Sequence, residues 1–183
     1  MPFKGQPILP AVHKLKDVEA LLASPYTYVV LLGGHLGQLK SIVDLAASHD
    51  KKILLHADLI DGLKNDEYAA EFLCQSIRPA GLISTRAAVI QKTKQNRLLA
   101  IQRLFLIDSD ALERTYALVE KIRPDYIEVL PGVMPHMIQE VRTRTGIPVI
   151  AGGLIRTPAD VEQAIAAGAS AITTSRRELW NTI

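Results

Sequence analysis

Apolar residues along this chain gather in short runs of strand length, and between the runs they recur at helical spacing. The runs occupy 8–12, 28–32, 52–57, 81–85, 100–106, 126–130, 148–151 and 171–174. Their starts lie about 23 residues apart, enough for one strand, one helix and two short connections. Between them, residues 66–78 place Ala69, Phe72, Leu73 and Ile77 on one helical face. Asp108 and Ser109 can cap a helix on which Leu112, Tyr116 and Val119 repeat. Thr157-Pro158-Ala159-Asp160 is a helix start, with Thr157 as the cap, Pro158 at the first helical position and Asp160 bonding back. Gly168 supplies the left-handed residue that closes the same helix.

A helix after each strand brings the chain back to begin the next strand in the same direction, so the sheet is expected to be parallel. Eight such units predict a compact (β/α)8 TIM-like barrel forming a single domain over residues 1–183. The fold usually needs about 200 residues or more, so one or two helices should be minimal. An open doubly wound sheet is the alternative.

Composition narrows the class. The chain is 48% hydrophobic and 22% charged, the balance of an ordinary globular protein. No apolar run approaches the ~20 residues of a membrane helix, and the first residues lack the apolar core of a signal peptide. The single cysteine, Cys74, sits in an apolar helical stretch and is expected to be buried and inert in a reducing, cytoplasmic setting. A net charge of +2 marks no dedicated nonspecific binder of nucleic acid.

In a barrel the C-terminal ends of the strands and the loops that follow them build the site. Here those positions hold Gly33-Gly34, Asp58, Arg86, Glu128, Gly152-Gly153 and Thr174-Ser175. Glycines let backbone N–H groups approach a ligand, and the loops after strands seven and eight are the recurrent phosphate site of this fold. Gly152, Gly153, Thr174 and Ser175 therefore favour a phosphate monoester, with Arg176 and Arg177 expected to open a last short helix whose N-terminus adds donors. The plainer alternative is that the glycines only make a tight turn. Along the third run, Leu54, His56 and Asp58 share one face. A buried Asp58 or Glu128 needs a partner, and Arg86 and Arg103 are the available counter-ions. These polar groups are equally compatible with a ligand pocket and with a structural ion-pair network. His56 and Asp58 could be half of a metal site, but no second suitably spaced pair completes it, so neither metal nor cofactor is expected. No lysine falls near the C-terminal end of a predicted strand, where a Schiff-base lysine would be expected, and neither Ser84 nor Ser175 has a convincing adjacent base.

Several segments together resemble the glycerol-uptake operon antiterminator regulatory protein family. They are QPILPAV (6–12), HLGQLK (35–40), the stretch from His56 to Arg86 beginning HADLIDGLKNDEY, AIQRLFLIDS (100–109), PDYIEVLPGVMP (124–135) and GIPVIAGGLIRTPADVEQAIAAGASAITTS (146–175) with Leu179-Trp180. The resemblance implies a cytoplasmic regulator built on a TIM-like barrel. Such a regulator responds to glycerol 3-phosphate and binds the leader of a glycerol-metabolism messenger RNA, so that transcription passes a terminator. It implies that Gly152-Gly153 form the phosphate turn, Thr174-Ser175 the second wall, and His56, Asp58, Arg86, Arg103 and Glu128 the polar floor.

Two functions of different class share this pocket. One is a ligand-gated RNA-binding regulator with no catalytic residue. The other is an enzyme of a small phosphorylated sugar or triose, with Glu128 or Asp58 as general base. The family resemblance and the missing nucleophile favour the regulator. Aromatic residues are 5% of the chain and fall mostly in apolar patterns, so recognition should use RNA phosphates and shape and not base stacking. Lys92, Lys94 and Arg97, along or just after one predicted helix, are the candidate RNA contacts. No membrane partner is expected.

Overall fold

The computed structural model describes residues 2–181. Eight parallel strands close into a barrel: β1 (Ile8–Val12), β2 (Tyr28–Leu31), β3 (Lys52–His56), β4 (Gly81–Ser84), β5 (Leu99–Phe105), β6 (Tyr126–Leu130), β7 (Val149–Gly152) and β8 (Ala171–Thr174). Each strand pairs with its neighbours in sequence. The seam closes where β1 lies between β8, with Ile8 opposite Ile172, and β2, with Ala11 opposite Val30. The parallel barrel expected from the strand spacing is what forms.

Seven α-helices wrap it: α1 (Leu15–Leu21), α2 (Leu36–Ala47), α3 (Glu67–Phe72), α4 (Ala87–Gln95), α5 (Ser109–Ile122), α6 (Pro135–Thr145) and α7 (Pro158–Ala166). Economy is taken at both ends of the chain. α1 has seven residues, and after β8 a single 3-10 turn, Arg177–Leu179, stands where an eighth helix would be. α7 starts as its sequence signals: Thr157 accepts from the Asp160 N–H and Asp160 accepts from the Thr157 N–H, a complete capping box. Among the described residues no helix is long and apolar enough to cross a membrane.

α3 departs from the expected face. It continues into a π-turn, Leu73–Ile77, and buries Ala69, Ala70, Leu73, Cys74 and Ile77 while Phe72 points outward. The buried stripe steps 69, 70, 73, 74, 77, and Phe72 falls off it. Burial raises the Cys74 thiol pKa to about 11, so it stays protonated and inert.

Strand alternation sorts the side chains into two cores. Leu9, Val30, Leu54, Ile83, Ile101, Ile150 and Ala171 fill the lumen. Phe3, from the 3-10 turn Pro2–Gly5, closes the lower end of the lumen, stacked 4.5 Å from the Tyr126 ring and edge-on to Tyr28. Outward residues such as Leu55, Leu82, Ile127 and Val149 pack under the helices. The Gly33-Gly34 turn after β2 is explained by packing. A Cβ on Gly33 would sit 2.7 Å from the Leu59 carbonyl oxygen, and Gly34-His35 form a short parallel pair with Ile60-Asp61.

Candidate functional site

At the C-terminal end of the strands the lumen changes from apolar to polar. Two residues beyond Leu54, Ile101, Tyr126, Ile150 and Ala171, the same alternation brings His56, Arg103, Glu128, Gly152 and Thr173 inward. Arg103 and Glu128 are opposite each other in the β5–β6 register, and Arg103 Nε donates to Glu128 Oε2 at 2.7 Å. The other oxygen, Oε1, accepts from Thr173 Oγ1 at 2.7 Å. Their side chains are 11% and 1% exposed, so this is a buried pair whose loss of hydration must be met by the bonds it makes.

Gly152 lies on β7, between these partners. A Cβ there would overlap Thr173 Oγ1 and come within 3.0 Å of Glu128 Oε1. Glycine at 152 is what lets the Glu128 carboxylate span a strand. His56 lies in the same layer, 2% exposed, and neither ring nitrogen has a hydrogen-bond partner. Burial chiefly, with the nearby Arg103 charge adding to it, lowers its pKa to about 4, although Asp58 and Glu128 pull the other way. The imidazole is therefore neutral near pH 7.

Above Arg103 and Glu128 opens a cavity of about 340 Å³, within the size range of small-molecule sites. Gly153, Thr174 and Ser175 form walls, Arg156 and Arg176 stand at the rim, and Ala11, Leu32, Leu130 and Leu154 add apolar surface. Gly153 has φ +71°, and a Cβ would press on Leu130 Cδ2 at 3.2 Å, so glycine keeps this wall open and unstrained.

The sequence-derived site residues separate into two groups. Gly153, Thr174, Ser175, Arg103 and Glu128 meet at the cavity, with Gly152 and His56 buried beside it. Asp58 does not join them. β3 ends at His56, the 3-10 turn Ala57–Leu59 breaks the alternation, and Asp58 turns toward the β4 loop. There it accepts from Ser84 Oγ, from Thr85 N–H and Oγ1 at 2.7 and 2.8 Å, and from Asn65 Nδ2. Burial would raise its pKa, but the Ser84 and Thr85 bonds outweigh that and hold the carboxyl below its ordinary value. Neutral and backbone donors thus take the place of the arginine counter-ion expected for Asp58.

Arg86 is likewise no counter-ion. It occupies the N-cap position of α4, its N–H donates to Ser84 Oγ at 3.0 Å, and its exposed side chain forms no ion pair among the described residues. The helix expected to open at Arg176-Arg177 is only the three-residue 3-10 turn, which sums too few peptide dipoles to attract an anion. Lys92, Lys94 and Arg97 lie at the far end of α4. Lys92 is 3.7 Å from Glu71, while Lys94 and Arg97 line a different cavity.

Thr173 and Arg156 complete the site. Alternation with Ala171 was the signal for Thr173. Arg156 carried none, because it depends on how the loop after β7 folds back. Among the described residues no three His, Cys, Asp or Glu side chains cluster to hold a metal ion.

Residues 8–180 match the family described as glycerol-3-phosphate responsive antiterminators. The chain belongs to this family. It is similar, at 53% identity and a TM-score of 0.95, to a glycerol uptake operon antiterminator regulatory protein from Listeria monocytogenes str. 4b F2365, covering 98% of this chain and 97% of that one. A glycerol uptake operon antiterminator-related protein from Thermotoga maritima MSB8 matches at 28% identity and a TM-score of 0.84, covering 96% and 98%. The uncharacterized protein YgcP of Escherichia coli (strain K12) is 30% identical over 178 residues, 97% of this chain and 93% of its own. A putative deoxyribose-phosphate aldolase from Coccidioides immitis, at 14% identity and a TM-score of 0.72, shares the fold alone.

Proposed function

We propose that this family member binds glycerol 3-phosphate in the cavity above Arg103 and Glu128 and acts, with that ligand bound, as an RNA-binding antiterminator of a glycerol-metabolism operon. The observation that carries the reading is the combination of charges around the cavity. A phosphate monoester bears −1.5 to −2 charge at neutral pH. Arg156 at the rim forms no salt bridge among the described residues, Arg176 beside it shares its charge with the exposed Glu178 at 2.9 Å, and Arg103 on the floor, paired with Glu128, keeps further guanidinium donors, so all three lie within reach of one small ligand. Glu128, facing the same space, can accept hydrogen bonds from hydroxyls. A small polyol phosphate asks for both kinds of group.

What supports the regulator reading over aldolase chemistry is the set of residues at the cavity. Schiff-base catalysis needs a lysine amine, and among the described residues no lysine lines the cavity. Glu128, one candidate base, already has both oxygens hydrogen-bonded. Asp58, the other, lies outside the cavity lining and has a lowered pKa, which makes it a weaker base.

Calorimetric titration with glycerol 3-phosphate, glycerol and inorganic phosphate tests the ligand assignment. The ester should bind more tightly than either fragment. Equal weak binding of all three would remove the assignment.

A further inference from the structure

The opposite, N-terminal end of the barrel carries a second and larger cavity, of about 570 Å³, lined by Lys51, Lys52, Arg78, Lys94 and Arg97 with Asp125 as its one carboxylate. None of these five cations forms a salt bridge among the described residues, and Asp125 is occupied by the Ala100 N–H at 2.8 Å. The cavity runs under five adjacent strands, β2 to β6. At ~4.8 Å per strand gap that is an arc of about 19 Å around half of the barrel rim, longer than one phosphate and suited to a row of them.

The backbone supplies an independent observation. Helices α3 to α5 are followed by arginines in the left-handed region: Arg78 at φ 59°, Arg97 at φ 60° and Arg123 at φ 46°. That conformation costs an L side chain energy which glycine avoids, and glycine is the usual residue at such helix ends. On the other half of the same face glycine is present, as Gly146 after α6 and Gly168 after α7. Of the cations there, Arg144 is neutralised by a bidentate pair with Glu113 at 2.5 and 2.6 Å. Helix-end carbonyls account for part of the arginine preference, since Arg78 Nε donates to the Gln75 carbonyl at 2.8 Å. That bond uses one of five guanidinium donors.

We infer that this basic cleft, lined by Lys51, Lys52, Arg78, Lys94 and Arg97, is the surface that takes the phosphodiester backbone of the RNA, at the barrel end opposite the small-ligand cavity. The inference rests on the RNA-binding reading above. It extends the contact surface from one edge of α4 to a rim assembled at three successive connections, α2 to β3, α3 to β4 and α4 to β5. A second copy of the chain is disfavoured as occupant, because a two-fold contact would set like charges face to face. A membrane surface is disfavoured because none of the large exposed apolar side chains, Leu59, Tyr68, Phe72, Phe105, Ile107 and Leu154, belongs to the cleft.

The test uses the double variant Arg78→Gly/Arg97→Gly. Glycine suits both left-handed positions, so the melting temperature should be unchanged or raised while two phosphate contacts are lost. The probe is an in vitro transcript of the leader of the source genome's own glycerol-uptake operon, titrated at several salt concentrations in saturating glycerol 3-phosphate. For the double variant we expect at least a tenfold loss of affinity, and a slope of log K against log salt flatter by about two contacts' worth. Glycerol 3-phosphate affinity should not change. Unaltered RNA affinity in a folded variant, with the wild type binding, overturns the cleft and leaves the RNA-binding reading standing. A wild type that does not bind the transcript overturns both. A variant that keeps RNA but loses binding to phosphatidylserine vesicles overturns the RNA assignment in favour of a membrane.

Discussion

Glu128 on β6 and Thr173 on β8 are joined by a 2.7 Å hydrogen bond that passes over Gly152, the residue between them on β7. With Arg103 on the other carboxylate oxygen, this ties β5, β6 and β8 together under the cavity. Thr173→Val should leave the buried carboxylate short of a donor and cost ~1–3 kcal/mol in urea unfolding. Gly152→Ala should cost a similar ~1–3 kcal/mol by overpacking the same spot. Wild-type stability in both would mean that the bond contributes nothing.

The Arg103–Glu128 pair is buried, so removing one member should hurt more than removing both. Arg103→Met alone is expected to lose ~3–5 kcal/mol by stranding a buried charge. Adding Glu128→Met should recover much of that loss. A double variant as unstable as the sum of the singles would show that the two side chains are not coupled.

His56 makes stability depend on pH. Its pKa is about 4 when folded and near 6.5 when unfolded, so between those values the unfolded chain binds more protons. Stability is complete above pH ~6.5 and falls as pH drops toward 4, by about 3 kcal/mol in all. His56→Leu should flatten this part of the profile relative to wild type. Parallel profiles from pH 7 to 4.5 would contradict the assignment.

Two substitutions probe the cavity from different sides. Ser175→Glu puts a carboxylate on an exposed wall and should weaken glycerol 3-phosphate binding at least tenfold, ~1.4 kcal/mol or more, without unfolding the protein. Gly153→Val should block the same site while straining a positive φ. Unchanged affinity for both in calorimetry would place the ligand elsewhere.

Turnover separates the regulator from its enzymatic alternative. Phosphorus NMR of protein incubated for hours with glycerol 3-phosphate should show one unchanged ester resonance. A product peak growing at enzyme-like rates would support catalysis.

The barrel was legible because each strand lies in a short, mostly apolar run and some helices carry their own start or stop residues, as at Asp108 for α5 and at Thr157, Asp160 and Gly168 for α7. Arg103 and Glu128 were legible for the same reason, since alternation continues to the ends of β5 and β6. Asp58 was misread because β3 stops at His56, and a 3-10 turn erases the alternation that assigned it inward. Arg86 failed as a counter-ion because a residue at a helix N-cap takes its direction from the helix start and not from the strand before it. The basic cleft was only partly visible. Its cations come singly or in pairs from three segments apart in sequence, and only the pairing of β3 with β4 and of β4 with β5 sets them side by side.

The central claim is that the small ligand and the RNA bias one equilibrium from opposite ends of the barrel. The most direct measurement is the affinity for the leader transcript at fixed salt, with and without saturating glycerol 3-phosphate. The account predicts a change of roughly 5- to 150-fold, equivalent to ~1–3 kcal/mol of coupling, and the same factor in ligand affinity when RNA is present. RNA affinity identical in the two titrations, with the ligand shown to be bound, would contradict it.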